Sequence, residues 1–397
     1  MVKSNKMPED PFFTIFKDPE WNCLTGTQSC NQNYIEGYLD APIDLIDSVI
    51  SSNNYSKRDT LIMPILYSIR HGLELSLKHF SVKLSDMYKW KDLPSPNHDI
   101  KAFYDYLCKK AIPDKMFREQ LDLLGSFVSS LSQVDPDGQQ FRFSTTVKGD
   151  VSLSDTPLCN LMVIRDSALK MNEVLRKLLY RLDTLNDELK SGTHTKKLSR
   201  TDLKDIASRL PNFSEWADDA EGNFTTSKGS VQKDYDLSNN DFSKAVDCIK
   251  KSRELSLLIE YRHEVSDIDI NMVRAFVSEC KKTKTSICEF SGLGTDYWSL
   301  DRSKMYDSIR LEQEIHKKLC EIYDCSAVAC IEALFDLGRD GVFVERYEEY
   351  YQSSLDKCKD ELGLSTVVNR ILEKTNLVEC IKISLEYMGY KDALKDL

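Results

Sequence analysis

The chain of 397 residues is 41% hydrophobic and 29% charged, a balance that is typical of a soluble globular protein and excludes a disordered one. Its net charge of −11 excludes the overall positive field of a duplex-binding protein, but leaves room for a local basic cleft. Glycine (15) and proline (11) are scarce, so helices are favoured, and the length predicts two or three domains.

Cysteine spacing argues against a metal site. None of the twelve cysteines forms a Cys-x-x-Cys pair or a Cys/His cluster with zinc spacing. We interpret them as reduced core residues, and we expect no metal and no cofactor. The first residues lack the apolar run of a signal peptide, and no stretch approaches the ~18–20 apolar residues of a membrane helix. These features predict a cytoplasmic protein that is not bound to a membrane.

Two short aromatic segments lie near the start of the chain, FFTIF at 12–16 and YIEGYL at 34–39. Their composition predicts two brief strands, or extended arms packed on helices. A helix is then expected to run to about residue 52, with Pro42 in its first turn.

The helix predicted over residues 61–84 organises the first half of the chain. Its apolar residues recur at steps of three and four, the spacing of one buried face, and Pro64 marks the start of the regular part. Arg70, Glu74 and Lys78 form a polar strip beside this face. Because an unpaired buried charge is costly, we expect these side chains to pair or to find hydrogen bonds.

Two further helices are predicted before residue 135. One covers residues 100–112, with Asn97 or Asp99 as its N-cap, and the other covers 113–133. The sequence DPDG at 135–138 then predicts a turn.

The clearest pattern is a heptad stripe sustained for about four heptads, typical of a coiled coil or a long bundle helix. Its residues are Leu161, Ile164, Ala168, Met171, Leu175, Leu178, Leu182, Leu185 and Leu189. The stripe predicts either a seam packed inside the chain's own bundle or the interface of a homodimer. Spacing alone leaves both alternatives open.

The second half is predicted to be helical almost to its end. A flexible polar joint at 190–197 closes the first domain, and a short helix follows it. Residues 217–236 are polar and aperiodic, which is typical of a linker or mobile loop. Ser238 is expected to cap a helix that reaches about residue 260. Later helices are predicted at 267–282, 303–323, 327–338, 344–362 and 377–387, with a loop signal at the glycines 338 and 341.

The resulting fold class is all-α with minor short strands. We expect a helical bundle at 1–195, a linker with a short helix at 196–237, and a second helical domain at 238–397.

Candidate chemistry is limited by the six histidines and by the lack of a Walker-type phosphate loop. His71 directly follows Arg70, and such a pair suits phosphodiester cleavage. The imidazole would move the proton of a 2′-hydroxyl while the guanidinium holds the phosphate. The alternative is that Arg70 pairs with Glu74 or Asp99, and that His71 lies at the edge of the core.

Two other residues are candidate nucleic-acid contacts, His98 before the third predicted helix and Arg142 in the segment FRF. His98 also fits a helix N-terminal residue that bonds the backbone. Arg310 and His316 have an Arg-x5-His spacing, but six residues along a helix turn them about 120° apart. We therefore interpret these two as surface residues.

The order of these marks resembles the helical HEPN superfamily over residues 40–190. The marks are the run Arg70-His71-Gly-Leu-Glu74, then His98-Asp99, then the FRF segment before the long helix. The resemblance implies an up-and-down helical bundle, often dimeric, in toxin–antitoxin or antiviral defence proteins. Many of those proteins are metal-independent RNases that carry Arg, four to six residues, then His on a late bundle helix. Here neither Arg142 nor the stretch from Arg165 to Arg181 is followed by that histidine.

Two functions are consistent with this pattern. The first is a HEPN-like binding or assembly module of a prokaryotic defence system, homodimeric or bound to a partner protein or RNA. The second is an endoribonuclease effector of such a system that uses Arg70 and His71.

Overall fold

A computed structural model describes residues 19–24, 31–95, 97–145, 149–261, 268–287 and 302–390. In these ranges the chain is helical apart from turns, loops and one isolated bridge between Thr145 and Val151, which confirms the all-α class. The chain packs as two compact units. The first unit is Met1–Lys110 with Gln120–Leu179, and the second unit is Ala111–Glu119 with Tyr180–Leu397.

Among the residues that the structure describes, six α-helices begin before residue 190. They are α1 (Asn31–Ser51), α2 (Tyr55–Tyr88), α3 (Ile100–Lys109), α4 (Lys115–Leu123), α5 (Gly125–Val134) and α6 (Leu161–Lys190). Asp99, one of the two predicted candidates, is the N-cap of α3, and its side chain accepts from the Ala102 N–H over 3.0 Å. The single helix predicted over 113–133 is instead the pair α4 and α5.

The strand predicted at 34–39 is wrong, because these residues lie within α1. The buried residues Ile35, Leu39, Ile46 and Val49, with Pro42 between them, follow a helical spacing that outweighs the β-branched and aromatic composition. Pro42 therefore lies inside the helix rather than in its first turn. The other predicted strand, at 12–16, lies outside the described residues. Residues 55–63, ahead of Pro64, are also helical.

The heptad stripe lies on α6, and its side chains are buried within the chain. Met171, Leu175, Leu178 and Leu182 are each at most 2% exposed, Leu161 is 9% exposed and Ile164 is half-buried. An interface needs accessible side chains. The intramolecular seam is therefore the alternative that the structure supports, and the prediction of these residues as a homodimer interface is corrected.

The second unit continues with ten helices among the described residues. They are α7 (Arg200–Arg209), α8 (Asn223–Asp234), α9 (Asn239–Lys251), α10 (Leu255–Leu258), α11 (Ile270–Ile287), α12 (Arg302–Ile322), α13 (Cys325–Asp340), α14 (Tyr347–Lys357), α15 (Glu361–Leu372) and α16 (Leu377–Tyr387). Ser238 caps α9 in a reciprocal capping box with Asp241, as its position predicted, although the helix ends at Lys251.

The predicted linker at 217–236 is wrong in its central part, because α8 lies there. Leu203 and Ile206 of α7, Val231 of α8 and Phe242 of α9 share one buried cluster. Helix α8 has few apolar residues, so its sequence shows no helical periodicity. The helix is recognised only from its packing against α7 and α9 in the structure. A second buried cluster joins helices α11 to α16.

Candidate functional site

Arg70 lies at the centre of a buried ion-pair network in the first unit, and it is 2% exposed. Its Nη1 donates to Glu74 Oε2 over 2.8 Å, and its Nε donates to the Asp135 carbonyl over 3.0 Å. Its Nη2 donates to the His98 carbonyl over 2.6 Å. Asp135 also brings its carboxylate within 3.3 Å of Nε. The buried guanidinium is thus paired with carboxylates, as expected from the cost of an unpaired buried charge.

Local structure explains why these groups meet. Arg70 and Glu74 are four residues apart on α2 and therefore neighbours on its surface. The turn that follows α5 closes over the guanidinium at Gly138, whose φ of +77° only glycine adopts readily. A Cβ at Gly138 would lie 3.1 Å from Arg70 Nη1. The turn therefore covers the guanidinium that was expected to hold a phosphate.

Glu74 binds the remaining partners of this network. Its Oε1 accepts from Lys78 Nζ over 2.7 Å and from His98 Nδ1 over 2.9 Å. Burial raises the pKa of the Glu74 carboxyl, but the hydrogen bonds from Lys78, His98 and Arg70 more than offset this effect and hold the pKa below its usual value. Glu74 is therefore an ionised structural anion at neutral pH.

His71 lies in a different environment from its neighbour Arg70. Its ring stacks on Tyr67 with centroids 5.5 Å apart and meets the edge of Tyr38 at 4.5 Å. Burial lowers the pKa of His71, which favours a neutral imidazole at neutral pH. The Arg142 guanidinium lies 5.8 Å from the Tyr67 ring and 5.3 Å from the Phe143 ring.

The four predicted site residues consequently form two groups rather than one cleft. Arg70 donates to the backbone of His98, whereas His71 and Arg142 each contact the ring of Tyr67. Only the side chains of His98, 53% exposed, and Arg142 are well exposed to solvent. The catalytic role of Arg70 and His71 and the nucleic-acid role of His98 and Arg142 stay predictions.

Arg310 and His316 also point to separate partners. Arg310 Nε lies 3.2 Å from Glu314 on the same helix, and its side chain is 80% exposed. His316 Nε2 lies 3.0 Å from the carbonyl of Ser365. The Arg-x5-His spacing on α12 does not bring the two side chains into one site.

An apolar groove of about 590 Å³, which we call the α2–α6 groove, opens on the first unit. Met63 and Leu66 of α2, Phe141, and Leu153 and Leu158 of the loop before α6 line it. Leu158 is 89% exposed and Met63 is 37% exposed. A second hollow of about 500 Å³, lined in part by Arg142, shares Met63, Phe141 and Leu153 with the groove.

Leu153 reaches this groove from a strained backbone. Its φ of +60° is rare for a bulky residue, and its N–H is held by the side-chain oxygen of Gln140 over 3.2 Å. Such strain persists where surrounding contacts require it, often at binding sites. No sequence pattern pointed to this groove, because its lining comes from segments far apart in the chain.

A second buried charge network, in the second unit, also escaped the sequence reasoning. Arg181 on α6 donates to Asp114 Oδ2 over 2.6 Å and to Glu188 Oε1 over 2.7 Å. Thr201 at the start of α7 donates its N–H to Glu188 Oε2 over 3.1 Å. Burial alone would lower the pKa of Arg181, but the carboxylates of Asp114 and Glu188 outweigh this effect and raise the pKa. Arg181 is therefore a permanent cation.

Asp202 lies beside that network and is 4% exposed. Its carboxylate accepts the N–H of Ser199 and that of Lys115, each over 3.1 Å. Burial, together with the negative charge of Asp114, outweighs these bonds and raises the pKa of Asp202 to about 6. With both networks enclosed, we interpret them as structural.

In the described ranges, no group of three or more His, Cys, Asp and Glu residues could hold a metal ion. Cys280, Cys330, Cys358 and Cys380 are buried as predicted, whereas Cys248 and Cys320 are half-buried and Cys23, Cys108 and Cys159 are exposed. No helix among the described residues is both long and apolar enough to cross a membrane.

Comparisons with known proteins supply no relative. The chain matches no protein-family model, no curated protein sequence and no solved structure.

Proposed function

We propose that the chain is a helical binding module of the HEPN-like type in a prokaryotic antiviral or toxin-type defence system, and that it holds a partner protein. The α2–α6 groove is the observation that carries the proposal. Apolar clefts between the helices of a bundle are common binding sites, and an amphipathic helix is one of the occupants that they accept. The HEPN-like sequence pattern over residues 40–190 supplies the defence context.

The occupant that fits the groove best is an amphipathic helix of the partner. A groove between helices, with Met63 and Leu66 in its wall and the exposed Leu158 at its edge, suits the apolar face of such a helix. Arg142, which lines the adjoining hollow, makes no ion pair among the described residues. A carboxylate on the polar face of the partner helix would supply one.

The endoribonuclease alternative has weaker support. It needs Arg70 to contact a phosphate, but this guanidinium is 2% exposed and already bound to Glu74 and to two carbonyls. The neighbouring His71 packs against Tyr38 and Tyr67 instead of joining Arg70.

Site-specific crosslinking tests the proposal. A photo-crosslinking amino acid is placed at Leu158, 89% exposed, and in a control protein at Leu362, 78% exposed in the second unit. In the native host we expect one discrete heavier adduct from position 158 and none from 362. The adduct should disappear when Met63→Glu is added, because a charge in the groove opposes burial of an apolar partner.

Two results would contradict the proposal. One is the same adduct pattern from both positions, or no adduct from position 158. The other is cleavage of tRNA by the purified wild-type protein that is lost in a folded His71→Ala variant, since this would make the chain an RNase.

A further inference from the structure

The second unit contains a cleft of about 600 Å³ between α9 and the loop that precedes α7. Lys196 and Lys197 come from the loop, and Lys244 and Lys251 come from α9. All four side chains are exposed. The sequence predicted only a polar joint for this loop, and none of these lysines belongs to a buried charge network.

The loop that carries two of the lysines is held by its own hydrogen bonds. Thr195 Oγ1 accepts the N–H groups of Lys197 and Leu198 over 3.2 and 3.1 Å. The N–H of Thr195 donates to the Leu198 carbonyl over 2.9 Å, and Leu198 is 1% exposed. Because the backbone of the loop is ordered in advance, the loop would lose less conformational entropy when a ligand binds at this cleft.

Charge in the cleft is unbalanced. Four lysines face two carboxylates, Asp241 and Asp247. Lys197 pairs with Asp241 over 2.8 Å, and this pairing holds the pKa of Asp241 at about 2. The other three lysines make no ion pair among the described residues. In a chain with net charge −11, this is a local concentration of positive charge, and a concave surface focuses such a field.

The ligand class follows from this chemistry. A phosphate group has more charge and more acceptor oxygens than a carboxylate, and it can take hydrogen bonds from several ammonium groups. The cleft has the volume of a small-molecule site. Its lining contains no Phe, Tyr or Trp, and the imidazole of His194 is the one ring on which a base could stack, so recognition would rest mainly on the phosphates.

We infer that the cleft formed by Lys196, Lys197, Lys244 and Lys251 binds the phosphate groups of a nucleotide or of an RNA backbone. This inference does not depend on the proposed function, because the α2–α6 groove belongs to the other unit.

Fluorescence anisotropy tests the inference with two probes, fluorescein-labelled ATP and a fluorescein-labelled ten-nucleotide oligouridylate. The variant is Lys196→Ala/Lys244→Ala/Lys251→Ala. The matched control, Lys233→Ala/Lys317→Ala/Lys359→Ala, removes three exposed lysines of the same unit outside the cleft. We expect the cleft variant to bind at least tenfold more weakly and the control to stay within twofold of wild type. For the RNA probe, log K decreases linearly with log salt. The slope of this line should become less negative by about 2 in the cleft variant, since three phosphate contacts are lost.

The two probes identify the source of the phosphate. Binding of ATP alone indicates a nucleotide, and binding of the RNA alone, or of both with the RNA tighter, indicates a nucleic-acid backbone. Three results would overturn the inference: no binding of either probe at low salt, equal weakening in both variants, or equally tight binding of a labelled polyglutamate peptide. Thermal melts of both variants verify that they are folded.

Discussion

Arg70 shows how one buried cation connects elements that are distant in sequence. Its guanidinium joins α2 to the start of α3 through the His98 carbonyl, and to the turn after α5 through Asp135. Both of its carboxylate partners are buried, Glu74 at 3% and Asp135 at 0% exposed. Removal of one partner from such a network leaves a buried charge poorly compensated, which costs more than the intact network contributes.

The substitution Glu74→Gln should therefore destabilise the first unit by roughly 3 kcal/mol. The amide keeps the shape of the side chain but removes the negative charge between Arg70, Lys78 and His98. Urea unfolding followed by circular dichroism measures the change.

Glu173→Gln is the matched control, because Glu173 also pairs with a lysine four residues away but is well exposed. We expect no measurable change for this variant. Unchanged or increased stability of Glu74→Gln would instead mean that the network is strained in the folded protein, and would favour a functional role for Arg70.

At the scale of the element, the packing of α13 on α16 depends on a glycine. A Cβ at Gly338 would overlap the backbone carbonyl of Cys380. The sequence predicted a loop near this glycine, but the structure has Gly338 inside α13. This glycine is needed for close approach of two helices and not for a turn.

The substitution Gly338→Ala should destabilise the second unit by about 1–3 kcal/mol, because α16 must move away from α13. Gly229→Ala is the control. Gly229 lies inside α8, and a Cβ there meets no atom within 4 Å. This control should instead stabilise by ~0.5–1 kcal/mol, the usual gain of alanine over glycine in a helix. Thermal unfolding of the two variants should shift in opposite directions, and a shift in the same direction would contradict the packing argument.

At the scale of the whole molecule, the dependence of stability on pH sums over groups whose pKa values change on folding. Glu74 has a lowered pKa, so its contribution is present at neutral pH and is lost as the pH falls below about 4.5. Asp202 has the opposite sign. Its pKa rises from 3.8 to about 6 on folding, so its contribution is lost as the pH rises through this range.

The variant Asp202→Asn tests this sign, because the amide stays neutral at every pH. Between pH 4 and pH 7 the stability of wild type should fall relative to that of the variant, by up to about 3 kcal/mol. Urea midpoints measured across this range provide the comparison. Parallel curves for the two proteins would show that Asp202 has an ordinary pKa in the folded state.

The sequence predicted more of the fold than of the candidate site. Strong local signals were sufficient for α6, for α16 and for the caps at Asp99 and Ser238, because periodicity and capping act within a few residues. The helical character of residues 34–39 was missed because local composition favoured strands. Helix α8 was missed because its one buried apolar residue, Val231, gave no stripe.

The sequence by itself determined the all-α class, the buried faces of α2 and α6, and the need for Arg70 to be paired. These properties follow from helical periodicity and from the cost of unpaired buried charge. Only the tertiary structure decided that Asp135 and the His98 carbonyl complete the pairing of Arg70. It also decided that the heptad face of α6 packs inside the chain, and it alone located the α2–α6 groove and the lysine cleft. Each of these depends on segments that are far apart in the chain, and no local spacing records which of them meet.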